Sequence, residues 1–129
     1  MNGKFDEKHG VLEDYLYKNE ALNKSMVVSK EKSGAKFARL YYDVLEENGT
    51  CSLVKIKLET GRHHQIRVQF SHAGHPLVGD QKYGKMEPDK QIALWAYELE
   101  FKHPTKDEIL KFTCMPKKVG AWKDFKYIK

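Results

Sequence analysis

With 129 residues the chain is expected to form a single domain, residues 1–129. Its 40% hydrophobic and 32% charged residues fit a folded globular protein and argue against disorder. No apolar run approaches the roughly 18–20 residues needed to span a bilayer, and Met1 to Asp6 carry no apolar signal region, so a cytoplasmic protein without a membrane partner is expected.

The charge is unevenly placed. Residues 1–101 hold 15 Lys/Arg and 15 Asp/Glu, whereas residues 102–129 hold 8 lysines and 3 acids and supply the whole net charge of +5. Such a tail, Lys117 and Lys118 included, can attract a polyanion such as RNA, or be a solvated surface; charge alone leaves both open. Cys51 and Cys114 have no metal-like spacing and read as small buried hydrophobes in strands.

Along the chain, Val11, Leu12, Tyr15, Leu16, Ala21 and Leu22 recur near helical spacing, with Asn19 weakening the later half, so a short helix is predicted near 11–17. Ser25 to Ser29 reads as a short strand, and Lys30 to Gly34 as a polar connector. Lys36 to Glu46 alternates as a strand. Asn48-Gly49 is a favoured turn because both residues tolerate positive φ. Cys51 to Glu59 returns with Val54, Ile56 and Leu58 on one face and Lys55, Lys57 and Glu59 on the other.

Thr60 is a candidate N-cap for a helix from about Arg62 to Ala73, with Ile66, Phe70 and Ala73 facing the core and Gly74 at the left-handed terminating position. Residues 75–91 read as an irregular loop. Leu94 to Lys102 alternates again, His103 to Glu108 forms a turn, and Ile109 to Met115 forms the partner strand. Val119 to Ile128 is a short helix or an ordered tail. The order β-β-helix-β-β defines an α+β class with a largely antiparallel, mixed sheet and flanking helices.

Chemistry concentrates between Thr60 and Arg67. A strand enters a helix through Thr60-Gly61, and Arg62 and Arg67 flank the helix start with His63, His64 and Gln65 between them. Helix amides and guanidiniums favour anions, so this corner is a candidate phosphate or carboxylate site; an amphipathic helix with solvated charges is the competing reading. His63, His64, His72 and His75 match no zinc spacing and lack companion cysteines, so no metal is expected.

Thr60-Gly61-Arg62, His64-Gln65-Ile66-Arg67, Gly74-His75-Pro76, Gly79-Asp80, Tyr83-Gly84 and Leu99-x-Phe101-x-His103-Pro104 occur in the order and spacing of the RluA-type RNA pseudouridine synthases, which the chain resembles over about residues 10–118. The resemblance implies a partial pseudouridine synthase catalytic-domain fold and isomerisation of a uridine in structured RNA, rRNA or tRNA. In that scheme an aspartate attacks the nucleotide, the glycosidic bond breaks, the uracil turns and a carbon–carbon bond forms, with no metal or organic cofactor. The nucleotide must leave its stack to be reached.

The resemblance assigns Arg67 as the ion-pair partner of the catalytic aspartate, keeping it ionised. It makes Arg62, His64 and Gln65 candidate RNA-binding or loop-bracing residues and Leu94 a residue near the target base; His63 between the arginines and Lys117 and Lys118 of the basic tail join the RNA-binding candidates. Asp80 reads as structural. The family's Arg-Leu-Asp nucleophile segment does not occur here, nor does the Lys-x-Tyr segment that follows it; Arg39-Leu40-Tyr41 has tyrosine where aspartate is required, and Leu94-Trp95-Ala96 replaces Leu-His-Ala. The chain alone is therefore expected to be inactive: the C-terminal portion of an enzyme, the C-terminal half of a split one, or a non-catalytic RNA-binding module. Strand edges left open should favour a homodimer or docking to a missing N-terminal half.

Overall fold

The computed structural model describes residues 1–84, 92–95, 98–102, 109–113, 122 and 125. Four strands, β1 (His9–Asn19), β2 (Lys24–Val28), β3 (Lys36–Glu47) and β4 (Ser52–Leu58), form an antiparallel sheet in the order β2-β1-β3-β4. One helix, α1 (Gln65–His72), follows β4, and β5 (Glu98–Lys102) pairs antiparallel with β6 (Ile109–Thr113) in a second, two-stranded sheet. This is the expected α+β class. Among the described residues no helix is long and apolar enough to cross a membrane.

The first predicted element is corrected. Residues 11–17 lie in β1, not in a helix. Leu12 and Leu16 stand four apart, which places them on one face of a helix and equally on one face of a strand. The neighbours decide: Val11 is 44% exposed, whereas Leu12 packs on the core and Leu16 is buried, the alternation of a strand. β1 then sits between β2 and β3, with Leu16 opposite Val27 and Leu12 opposite Leu40.

The β3–β4 hairpin forms as read, with a different turn. Only Gly49 has positive φ (100°), and Asn48 instead closes a four-residue loop by accepting Cys51 N–H on its side-chain oxygen at 3.0 Å while its own N–H donates to Cys51 O. A bulge between Val44 and Glu46 re-aims Leu45 toward Leu53, Cys51, Trp122 and Phe125. Val54 and Ile56 face the core; Leu58, expected with them, is 47% exposed near the sheet edge.

Helix α1 straddles two apolar clusters. Phe70 joins Phe5, Leu40 and Leu77, with Ile66 at the margin; Val68 joins Leu16 and Ala38. Gln65 and Gln69, one turn apart, are buried beside them, a polar stripe that the Ile66–Phe70–Ala73 reading missed. Gln69 Nε2 donates to Asp14 Oδ2 at 2.9 Å. The helix ends as predicted: Gly74 has φ 90°, Gly74 N–H reaches Ser71 O and His75 N–H reaches Phe70 O, satisfying the last carbonyls.

The N-terminal segment closes the β4 side. Gly3 N–H donates to Thr50 O, Ser52 N–H to Met1 O, and Phe5 stacks on His75 with ring centroids 4.0 Å apart. Leu94 and Trp95, read as the start of the strand, lie ahead of β5, and β6 runs over Ile109–Thr113 within the strand read there. Lys117, Lys118, Cys114, the turn at His103 to Glu108 and most of the predicted C-terminal element lie outside the described residues.

Candidate functional site

The turn from β4 into α1 is organised by Gln65. Its Oε1 accepts from Thr60 Oγ1 at 2.8 Å and from Arg62 N–H at 2.9 Å, and its Nε2 donates to Arg39 O at 3.2 Å. Thr60 is therefore not the helix N-cap. Its hydroxyl braces β3 by accepting Arg39 N–H at 3.0 Å, and His64 occupies the cap position without a side-chain cap bond. The helix starts at Gln65, three residues later than read. His64 adopts left-handed φ 53°, ψ 26°, a conformation that costs a non-glycine residue on the order of 1 kcal/mol and is held here by its surroundings.

Those surroundings converge on Tyr83. Its hydroxyl accepts Ser25 N–H at 2.8 Å and lies 2.8 Å from His64 Nδ1. With Ser25 donating to it, the hydroxyl proton is free to go to His64 Nδ1, which makes His64 a neutral acceptor. Burial, then the neighbouring His63, Arg67 and Lys82, push the His64 imidazole down to about 4, which keeps it neutral near pH 7. His63 stacks on His64 at 3.7 Å, and its Nδ1 lies 2.8 Å from Ser25 Oγ, which donates to His63 O at 2.9 Å. Burial and then Lys18 and Lys82 hold His63 below the usual histidine range.

Arg67, one turn into the helix, is gripped by Asp80. Arg67 Nε donates to Oδ2 at 3.0 Å and Nη2 to Oδ1 at 2.8 Å, the two parallel bonds of a fork. Asp80 Oδ1 also accepts Lys82 N–H at 3.2 Å and Tyr83 N–H at 3.1 Å. Burial opposes ionisation of this carboxyl, but the bonds from Arg67, Tyr83 and Lys82 together outweigh it and hold Asp80 below the ordinary carboxylate range. The Asp80 side chain is fully enclosed; that of Arg67 is 22% exposed. The guanidinium lies 5.1 Å from the centroid of the Tyr83 ring, and Lys24 Nζ lies 5.4 Å from it.

The loop that delivers Asp80 and Tyr83 is fixed by glycine. Gly79 has φ 78°, and a Cβ on Gly84 would stand 2.8 Å from Asp80 O. Ser71 Oγ donates to Tyr83 O, tying this loop back to α1.

The predicted site residues thus separate. Arg67, His63, His64 and Gln65 gather around the turn. Arg62 is exposed, with Nε bound to Phe37 O at 2.9 Å. Leu94 is 41% exposed, in a segment tied to the loop by Ala93 N–H to Val78 O. The sequence reading gave no role to Ser25 and saw Tyr83 only as a motif letter; the spacing Gly-Asp-x-x-Tyr-Gly was the available signal. Among the described residues no group of three His, Cys, Asp or Glu side chains is placed to hold a metal.

This geometry can now be set beside known proteins. The family described as RNA pseudouridylate synthase matches residues 4–72, a little over half of the chain. The ribosomal large subunit pseudouridine synthase D of Nitrosomonas europaea is 38% identical over 114 residues, which is 81% of this chain and 32% of that protein. The ribosomal large subunit pseudouridine synthase C of Haemophilus influenzae is 33% identical over 122 residues, 88% of this chain and 38% of that protein. In structure, human RNA pseudouridylate synthase domain containing 1 superposes with a TM-score of 0.76 over 93% of this chain and 53% of that one, at 24% identity, a likeness of fold. The chain belongs to the RNA pseudouridylate synthase family, in its RluA-type branch. It spans about a third of the length of these two curated relatives.

Proposed function

We propose that this chain is the arginine-bearing portion of an RNA pseudouridine synthase catalytic domain, with structured RNA, rRNA or tRNA, as its partner, and that it does not catalyse alone. The observation that carries this reading is the state of Arg67. Asp80 engages Nε and Nη2 of a partly exposed side chain, so among the described residues the Nη1 edge has no hydrogen bond and could receive a second carboxylate. A catalytic aspartate docked there would be held ionised, the form that attacks a nucleotide. Asp80 cannot take that part itself: it is enclosed and already accepts four hydrogen bonds. No Arg-Leu-Asp segment occurs in the 129 residues. The names of two relatives, ribosomal large subunit pseudouridine synthases D and C, support rRNA as the first substrate to try, and the cytoplasm is the compartment in which it would be met.

A second reading has its own support. Because Asp80 neutralises Arg67 within the fold, the site is satisfied without a nucleophile, which suits a module that binds RNA without chemistry. Incubating the chain with tritiated-uridine rRNA and tRNA separates these from an autonomous enzyme. Tritium release that depends on Arg67 contradicts both. Binding without release fits both, and conversion on adding a segment that carries the family's Arg-Leu-Asp motif selects the first.

A further inference from the structure

We infer that Tyr83 is a positioning residue for Arg67: its ring supports the face of the guanidinium that Asp80 grips by the edge, and its hydroxyl ties that support to β2 and to the turn before α1. This rests on the reading of Arg67 as the active-site arginine.

A bidentate carboxylate fixes an arginine in the plane of the guanidinium but leaves it free to tip about the line of the two bonds. A ring beneath the guanidinium opposes the tipping. Tyr83 is placed to do this, with its centroid 5.1 Å from the Arg67 carbon. The same residue sends its N–H to Asp80 Oδ1 at 3.1 Å, so edge grip and face support come from one turn of chain. The ring cannot drift, because its hydroxyl is held by Ser25 N–H and His64 Nδ1, each at 2.8 Å, and Ser71 Oγ holds its carbonyl. A tyrosine that only filled space would need none of these anchors. The arrangement leaves the Nη1 edge as the part of Arg67 without a hydrogen bond among the described residues, and so sets the direction from which a carboxylate must approach.

The test uses the intact chain, uniformly labelled with nitrogen-15, and the side-chain resonances of Arg67. The wild-type protein should show an Arg67 Nε–Hε signal that exchanges slowly with water and is displaced by the ring current of Tyr83. Tyr83→Leu should speed that exchange by about tenfold or more and abolish the displacement. Tyr83→Phe, which keeps the ring but releases it from Ser25 and His64, should retain the ring-current displacement in reduced form and lose protection of the Ser25 amide. A wild-type Arg67 signal that is averaged and undisplaced overturns the inference, as does a folded Tyr83→Leu whose Arg67 signal matches wild type. If Tyr83→Leu does not fold, the wild-type signature and the Tyr83→Phe contrast still decide. Failure of the synthase reading would appear in the tritium assay and leave these resonances untouched, so the two failures are distinguishable.

Discussion

Arg67 and Asp80 form a two-bond pair in which the carboxylate side chain is wholly enclosed and the arginine side chain is partly exposed. The asymmetry gives the two residues different tasks: Asp80 holds the loop and the arginine, and Arg67 is the member of the pair that solvent reaches. Breaking such a pair from one side strands a buried charge, which typically costs about 3–5 kcal/mol. Arg67→Ala, which leaves the enclosed carboxylate alone, should destabilise by about 3 kcal/mol in urea unfolding. A loss below about 1 kcal/mol, the scale of an exposed ion pair, would mean that the pair is a solvated surface contact.

The same pair predicts an acid limb. The folded state holds the Asp80 carboxyl below its ordinary value, so its contribution to stability is fully present above the unfolded value near 3.9 and is lost as pH falls through the lower, folded one. Asp80→Asn should lower stability at neutral pH and flatten the decline below about pH 4. An unchanged acid limb in that variant would contradict the assignment.

His64 predicts a second and separate limb. Its folded value of about 4 lies below the ordinary value, so the unfolded chain binds the extra proton first. Stability from this group is present above about pH 6.5 and is lost progressively as pH falls toward 4. Partial exposure keeps the slope below the ~1.4 kcal/mol per pH unit of one fully coupled proton. His64→Asn should flatten the stability profile between about pH 6.5 and 4, with His63 contributing a smaller residue of the same sign. A profile with undiminished slope in that variant would count against the neutral, partly buried histidine.

How much of this was legible in the sequence depends on the physics of each element. Where one periodicity had one meaning, as in the alternation of β3, the strand was readable. Leu12 and Leu16 were not decisive, because a spacing of four satisfies helix and strand alike; only pairing with β2 and β3 chooses. The helix start was misread for a related reason: a hydroxyl before a helix signals a cap, but here the long Gln65 side chain folds back and takes the Thr60 hydroxyl and the Arg62 amide. The arginine was found through the motif. The Tyr83 support beside it was not, because Ser25 and Tyr83 are 58 residues apart and meet only through the fold.

Gly84 offers a purely steric prediction. A methyl group there would meet Asp80 O at 2.8 Å and Pro76 Cβ at 3.1 Å, and backbone cannot yield as a flexible side chain does. Gly84→Ala should destabilise by about 1–3 kcal/mol and broaden the Arg67 side-chain resonance. A variant with wild-type stability would show that the 80–84 turn relaxes freely.

For RNA, the exposed Arg62 is the residue to remove first, because among the described residues its guanidinium has one backbone anchor, at Phe37 O. If it meets a phosphate, Arg62→Ala should weaken binding to rRNA fragments and reduce the slope of log affinity against log salt by about 1. An unaltered slope would take Arg62 out of the interface and leave it as a latch on β3.

The measurement that bears most directly on the account is tritium release from uridine-labelled rRNA and tRNA by the purified 129-residue chain, with Arg67→Ala as its control. Release should stay at background for both proteins while RNA binding persists, because no Arg-Leu-Asp aspartate occurs in the chain to meet the arginine. Release by the wild-type chain that Arg67→Ala abolishes would contradict it, and would mean that a carboxylate of this chain serves as the nucleophile.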